Sequence, residues 1–495
     1  MTISVDVALM SGRHVNIALP ATSSVDALRA RAQKQLGVPN GWLFSTTGDR
    51  LVGDVALFQA GLKTGDVLML KVKPALLAAS VGAFAAGTGE GALVTWGDPT
   101  LGADCSKIQN ELKNVEHVRS SSGAFAAILA DGSVVSWGNA DRGGDSSHVQ
   151  AQLKNAQQIS STQSAFAAIL ADGSVVTWGN PLLGGDSSAV QHLLKGVRQI
   201  QASNGAFAAI LDSGSVVTWG DPYRGGDSLA VQDQLWNVTH IQATGSAFAA
   251  IRSNGAVVTW GNAHFGGDSS HIQEKLKSVR QVQCANYAFA AILEDGSVEA
   301  WGADELGGDC SSVKDQLKDV KEIQASSGAF AALLADGSVV TWGSANRGGD
   351  CSAVRDRLKA IRHVQANQAA FAAIREDGSV VTWGHSAYGG DSDGVQDQLK
   401  AVQHIQAAEV AFAAIRECGS VVSWGHPDFG GDCSKVQEQL KDVQQLQSTD
   451  GAFAAVLKKG ALVTWGNSTC GGDGSALVED ADNDSICNNY TTFIN

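Results

Sequence analysis

Along most of the chain, short apolar runs alternate with polar turns on a fixed beat. In one unit, Ile159 lies in a polar-flanked stretch and Ala165-Phe166-Ala167-Ala168-Ile169-Leu170 is apolar on both faces. After Asp172-Gly173 the chain returns as Ser174-Val175-Val176-Thr177-Trp178. The pattern predicts three strands, the middle one buried on both sides. A two-residue hairpin turn at Asp172-Gly173 would join the last two, because glycine takes positive φ without strain. Small Ala residues opposite Phe and Trp predict closely stacked sheets with large side chains filling the gaps. Gly179 to Leu183 reads as a loop closing on Gly184-Gly185, and Asp186-Ser187-Ser188 as an N-cap cluster. Val190, Leu194 and Val197 then fall at i, i+4 and i+7, which predicts a helix of two to three turns.

The beat is 41 residues. Trp recurs at 96, 137, 178, 219, 260, 301, 342, 383, 424 and 465, and Phe keeps the same step from Phe84 to Phe453. Ten repeats without insertion or deletion occupy residues 74–475, and a period of this size signals a propeller, a solenoid or a similar array. Ten blades exceed the usual four to eight. An open superhelix stays an alternative, since solenoids grow by neighbour contacts alone. The ring is the favoured expectation, and the fold class is mainly β.

Residues 1–73 follow another pattern. Ile3, Val5, Val7 and Leu9 alternate with polar positions, and after Ser11-Gly12-Arg13 so do Val15, Ile17 and Leu19, which predicts a hairpin. Ser23 or Ser24 can cap a helix with apolar positions Val25, Leu28, Ala32 and Leu36, stopped by Gly37. Trp42-Leu43-Phe44 and Val67-Leu68-Met69-Leu70 complete a ββα-β-β order. Residues 476–495 form an acidic tail.

Composition narrows the function classes. The 495 residues carry 35 basic and 50 acidic side chains, a net charge of -15. That disfavours nucleic acid or an anionic membrane as main partner, since both need a basic surface. No apolar run is long enough to span a bilayer. MTISVDVALM has no basic stretch leading into an apolar one, so no secretion signal is expected. Eight Cys without a CxxC pair suggest free thiols and a reducing compartment, the cytoplasm or the nucleus.

Motifs of known chemistry are absent. There is no GxxxxGK, GxSxG or HExxH, and the 11 His lie scattered without metal spacing. Asp480, Asp482 and Asp484 resemble the start of a calcium loop, but Ser485 stands where Gly is needed and Thr491 where Glu is. The periodic Asp residues, Asp104 to Asp473, read as caps or Asx turns, because no second acid recurs beside them. Cys105, Cys310, Cys351 and Cys433 follow that Asp where other units have Ser, and read as drift at a capping position. No cofactor, metal or catalytic residue is expected, and no enzymatic activity.

The run Asp-Gly-Ser-Val-Val-Thr-Trp-Gly, followed by a loop and Gly-Gly, resembles the RCC1-type repeat (regulator of chromosome condensation). The resemblance implies propeller blades that bind proteins. Members of that family include nucleotide exchange factors for a small GTPase, ubiquitin ligases with propeller domains and a plant ultraviolet photoreceptor. This chain departs from the pattern. Phe166 and its equivalents stand where the family has His, Tyr is missing two residues before Trp178, and Gly184-Gly185-Asp186 replaces Gly-Gln-Leu-Gly. Residues 1–73 look like ubiquitin in order, length and the starting Met-Thr-Ile-Ser-Val. Instead of ending in Gly-Gly, the last strand runs on as Lys71-Val72-Lys73-Pro74, which suggests an integral domain. The resemblance aligns Leu43, Leu68 and Leu70 with ubiquitin's exposed apolar patch. They would recruit ubiquitin receptors or pack on the array.

Within a constant frame, the four residues after each Trp-Gly pair vary. Arg142, Tyr223, Arg224, His264, Phe265, Arg347, His385, Tyr388, His426 and Phe429 are of types that act as interface hot spots. In repeat proteins such differences often mark the binding face. The expected function is a non-enzymatic scaffold for an unidentified protein partner, linked to the ubiquitin pathway as a ligase adaptor. The alternatives from the RCC1 resemblance are a guanine nucleotide exchange factor and a Trp-based ultraviolet photoreceptor. Oligomeric state is left open.

Overall fold

In the computed structural model, the described residues run from 2 to 474, apart from 10–12, 37–40, 46, 52, 54, 73–75, 88–92 and 459. The Gly37 stop, the tail and the 73/74 boundary therefore lie outside the described residues. The first unit has strands β1 (Thr2–Ala8) and β2 (His14–Pro20), helix α1 (Val25–Leu36), and strands β3 (Gly41–Phe44), β4 (Arg50–Leu51) and β5 (Val67–Val72). The sheet order is β2-β1-β5-β3-β4 with β1 and β5 parallel, a β-grasp arrangement. Ser24 caps α1 by accepting from the Ala27 N–H at 3.2 Å, and the stripe Val25, Leu28, Ala32, Leu36 is buried, both as expected.

One expectation for this unit is overturned. Leu43, Leu68 and Leu70 are 0%, 2% and 0% exposed and belong to the core. Successive strand residues face opposite sides, so a one-residue offset exchanges core for surface. The outward apolar residues of β5 are Val67 and Met69, with Lys71 on the same face.

The array is ten three-stranded antiparallel sheets, each built from one contiguous stretch of chain. The third blade is representative, with an inner strand Ala156–Ser161, a middle strand Ala165–Leu170 and an outer strand Val175–Gly179. Its middle strand buries both faces. Ala165, Ala167 and Ile169 point towards the fourth blade and pack on Phe207, Val217 and Trp219, while Phe166 and Ala168 point back towards the second. Every blade stacks its Phe on its Trp, with centroids 5.1 Å apart in Phe84–Trp96 and 5.3 Å in Phe166–Trp178. Such a pair adds about 1 kcal/mol beyond the area it buries. Alanine on one side of each joint is what lets the two rings fit on the other.

The blades form a closed ring. Leu77, Phe84 and Trp96 of the first blade pack on Ala452, Ala454 and Val456 of the tenth. Across the same seam Asp450 N–H donates to Val81 C=O at 3.1 Å. Among the described residues no strand is shared between first and last blades, so packing and hydrogen bonds hold the seam.

Two local expectations are corrected. The hairpin loop has three residues, Ala171-Asp172-Gly173: Leu170 N–H bonds Ser174 C=O, Gly173 N–H bonds Leu170 C=O, and Gly173 takes φ 76. A type I turn followed by a left-handed glycine matches strand twist and shifts the register by one. The predicted helix of two to three turns is instead a set of i→i+3 turns, Val190 N–H to Ser187 C=O at 3.0 Å and Leu193 N–H to Val190 C=O at 2.8 Å. In other units it forms a 3-10 segment of up to six residues, such as Leu229–Gln234. Val197 is not on it but begins the next inner strand. The stretch is too short to nucleate an α-helix, and Gly196 at φ 60 ends it.

Candidate functional site

The inner strands surround a channel of about 780 Å³. Each contributes its last residue and the two that follow, so three rings of ten residues line it. The outermost ring is Val81, Ser122, Gln163, Asn204, Gly245, Asn286, Ser327, Gln368, Glu409 and Asp450. Its backbone is itself cyclic: nine amide bonds pass from blade to blade, from Ser122 N–H to Gln163 C=O at 3.0 Å round to Asp450 N–H and Val81 C=O. This annulus fixes the mouth and leaves its side chains free to vary.

Within the mouth ring itself, charged side chains are confined to one arc. Gln368 donates Nε2–H to the Glu409 carboxylate at 2.6 Å, and Asp450 follows in the next blade. Burial, then repulsion from Glu409, pushes the Asp450 carboxyl up to about 6. Among the described residues neither carboxylate has an ion-pair partner.

The variable loops ring this same mouth. Each forms a short 3-10 turn after the outer strand, such as Pro222–Arg224, where the Asp221 carboxylate accepts from Tyr223 N–H. The buried hydroxyl of Ser121, beside mouth residue Ser122, donates to Arg142 C=O at 2.8 Å. The loop's last side chain folds down as a wedge between blades. A Cβ on Gly205 would fall 2.7 Å from Leu183 Cδ2 and 2.8 Å from Arg224 Cδ, so glycine is what admits both wedges.

The ten loop residues singled out from the sequence therefore divide. Tyr223, His264 and His385 stand exposed, Tyr223 at 82%. Arg142, Arg224, Phe265, Arg347, Tyr388, His426 and Phe429 are half-buried. Arg347 donates to the Ser327 hydroxyl in the mouth ring, Arg224 pairs with Asp221 at 3.3 Å, and Phe265 lies 4.7 Å from Tyr287. His385 and His426 meet Tyr388 and Phe429 edge-on at 4.9 and 5.0 Å. Wedge residues shape the rim, and the residue before each wedge presents itself to solvent.

The periodic Asp residues sit in Asx turns. Asp186 accepts from Ser188 N–H at 2.8 Å, and hydrogen bonds from the Ser188 backbone and hydroxyl hold its carboxyl below the usual range. In the first nine blades the residue after Asp, Ser or Cys, is buried, and in the third it is tied inward: Ser187 bonds Gln191, whose Nε2–H reaches Val175 C=O at 2.9 Å. Cys105 occupies the same place, 3.0 Å from Gln109. Among the described residues no group of three His, Cys, Asp or Glu is placed to hold a metal, and no helix is long and apolar enough to cross a membrane.

Sequence reasoning found the loops and missed the mouth. The signal was available, because Gln163, Asn204, Gln368, Glu409 and Asp450 recur at the same 41-residue step and vary as freely as the loops do.

No protein-family profile matches the sequence, and no curated protein does. Among solved structures, Prp20p from Saccharomyces cerevisiae, studied for its binding to Gsp1p and histones, is 16% identical. The match covers 72% of this chain and 83% of that one, with a TM-score of 0.33. The computationally designed Ika8 protein is 15% identical over 62% of this chain and 94% of its own, with a TM-score of 0.31. Caldiarchaeum subterraneum ubiquitin, 17% identical, covers 15% of this chain and 96% of its own, with a TM-score of 0.14. Ten successive three-stranded sheets, each closing on a Trp-Gly strand end, are the repeated-sheet architecture expected from the sequence.

Proposed function

We propose that the chain is a non-enzymatic protein-binding ring whose loop face, centred on the channel mouth, is the recognition surface. The observation that carries this reading is the segregation of variation. Phe, Trp, the Ala pairs and the first closing Gly recur from blade to blade, whereas the exposed loop residues and the mouth ring differ and lie on one face. A frame that holds ten changeable positions in fixed geometry suits recognition, because a preorganised surface loses little entropy on binding. The ubiquitin-like unit, with its buried Leu43, Leu68 and Leu70, would reach ubiquitin-pathway proteins through Val67 and Met69 instead. No feature of the mouth favours nucleotide exchange or photoreception over binding.

The test is affinity capture from the native source, comparing wild type with Tyr223, His264 and His385 changed to Ala. These are exposed side chains and not wedges themselves, although His385 meets the wedge Tyr388 edge-on. A partner captured by wild type and lost by the variant supports the reading, and an identical set of captured proteins overturns it.

A further inference from the structure

Nine of the ten joints hold a connecting segment built to one pattern. In the third it carries Val190, Gln191 and Leu194, at i, i+1 and i+4; Ile108, Gln109 and Leu112, or Val436, Gln437 and Leu440, repeat this elsewhere. Leu194 drops between two blades and packs with Val175 of the third and Val217 of the fourth. Its equivalents, from Leu112 to Leu440, are no more than 2% exposed. Gln191 ties the segment down by donating to the Val175 carbonyl at 2.9 Å, and Gln437 does the same to Val421 at 3.1 Å. Each segment thus fills a groove with two aliphatic side chains and one amide.

The seam is the tenth joint, and among the described residues no such segment lies in it. Both its lips show the difference. The first residue of the outer strand is buried in nine blades, but Leu462, its counterpart in the tenth, is half-buried. Val94 in the first blade is half-buried as well, where Val217 and Val258 are buried. The two belong to one cluster, the one that closes the ring. Among the described residues no side chain donates to the Leu462 carbonyl, the counterpart of the one that Gln191 caps. Apolar surface left open in one joint and covered in nine marks an interaction site.

The nine filled joints define what this groove takes. In the chain's own continuation Leu477 stands in the place of Val190, but Val478 replaces Gln191 and Ala481 replaces Leu194. Gly474 likewise replaces Ser187, whose hydroxyl meets Gln191 in the third blade. We infer that the seam is a second docking site, for a partner segment that presents a branched aliphatic residue, Gln immediately after it and Leu three residues further on. Such a segment would lie in the tenth joint as the connecting segments lie in the others. The site is separate from the loop face and does not depend on it.

The probe is a fluorescein-labelled peptide with the sequence of residues 186–195, titrated into the full chain. Its counterpart carries Ser in place of Val190, Gln191 and Leu194. The chain variant V94E/L462S makes both lips polar; Glu299 already holds the Val94 position in the sixth blade. Wild type should bind the peptide saturably, and the Ser peptide or the seam variant should weaken binding about tenfold or more, as for loss of interface hot spots. Y223A/H264A/H385A, on the loop face, should bind as wild type does. A readout that needs no variant is hydrogen exchange of wild type with saturating peptide, which should slow in strands Leu93–Gly97 and Leu462–Gly466 and not in the equivalent strands of other blades. No binding by wild type, equal binding of the Ser peptide, or exchange unchanged at both strands overturns the inference. Binding seen only in L477S/V478S would make the chain's own continuation the occupant, and self-association abolished by V94E/L462S would make it a second copy; either overturns it too. If Y223A/H264A/H385A weakens the peptide and V94E/L462S does not, the seam site fails and the loop face stands.

Discussion

The indole N–H of Trp96, in the first blade, donates to the carbonyl of Gly471, just past the tenth, at 3.1 Å. Within the ring Trp137 makes the same bond to Gly102 at 3.0 Å, and Trp260 to Gly225 at 3.0 Å. The seam thus repeats an ordinary joint between residues at opposite ends of the array. Trp96→Phe leaves the Gly471 carbonyl unpaired and a void beside Phe84, which should cost about 2 kcal/mol of stability. Urea unfolding reads the loss, and hydrogen exchange should rise first in blades one and ten. Trp260→Phe, the same change inside the ring, should instead loosen blades four and five. Even exchange around the ring in both variants would contradict a local seam.

Ala401 adopts φ 53, a left-handed conformation that Gly196 holds at the equivalent position with φ 60. A non-glycine residue there is strained by about 1–2 kcal/mol. Glycine's greater freedom in the unfolded chain offsets about half of that. Ala401→Gly should therefore stabilise by about 0.5–1 kcal/mol in chemical denaturation. Gly196→Ala should do the opposite, more strongly, because its Cβ would fall 2.9 Å from the Asp212 carboxylate.

Asp450 titrates near 6 in the folded chain because burial and Glu409 both oppose its charge. A carboxyl whose folded pKa is raised binds its proton more tightly when folded, so it costs stability as pH rises from about 4 through 6. Asp450→Asn should raise stability at pH 7.5 by on the order of 1 kcal/mol and bring little change at pH 4. Melting curves at the two values check the sign. An equal shift at both would mean that the substitution acts by packing alone.

Cys418 takes the hairpin-turn place that Asp377 holds one blade earlier, where the Asp carboxylate accepts from Ser379. A site shaped for an anion should stabilise a thiolate. Hydrogen bonds from the Ser420 hydroxyl and backbone and from Arg416 bring the thiol down to about 7, whereas burial pushes Cys284 up to about 11. Iodoacetamide at pH 7 should label Cys418 first, with a rate that climbs through pH 7, and leave Cys284 unmodified in the native state. Peptide mass spectrometry resolves the sites.

The strands and their order were legible because each obeys a local rule: Ala165 to Leu170 is apolar on both faces, and Trp178 ends a strand before glycine. Closure was not legible. It depends on the angle between neighbouring sheets, which Ala167 and Phe207 set by volume across a joint that no single repeat contains. Leu194 misled as a helix residue because a buried i→i+3 turn shows the same spacing as the first turn of an α-helix. Leu68 misled for another reason, since its strand reads equally well in either of two registers. The loop residues were visible as variation, but only the fold separates Tyr223, on the surface, from Arg224, wedged beneath it.

Because no strand spans the seam, nothing clamps the last joint beyond the contacts that every other joint has. Each of ten interfaces turns the path by one tenth of a circle, so angular errors accumulate along the chain and are all presented at the junction of Trp96 and Gly471. A side chain that tilts any one joint by a degree shifts the gap there by the same degree. The seam acts as a vernier for the whole ring, and substitutions far from it will be read first at that junction.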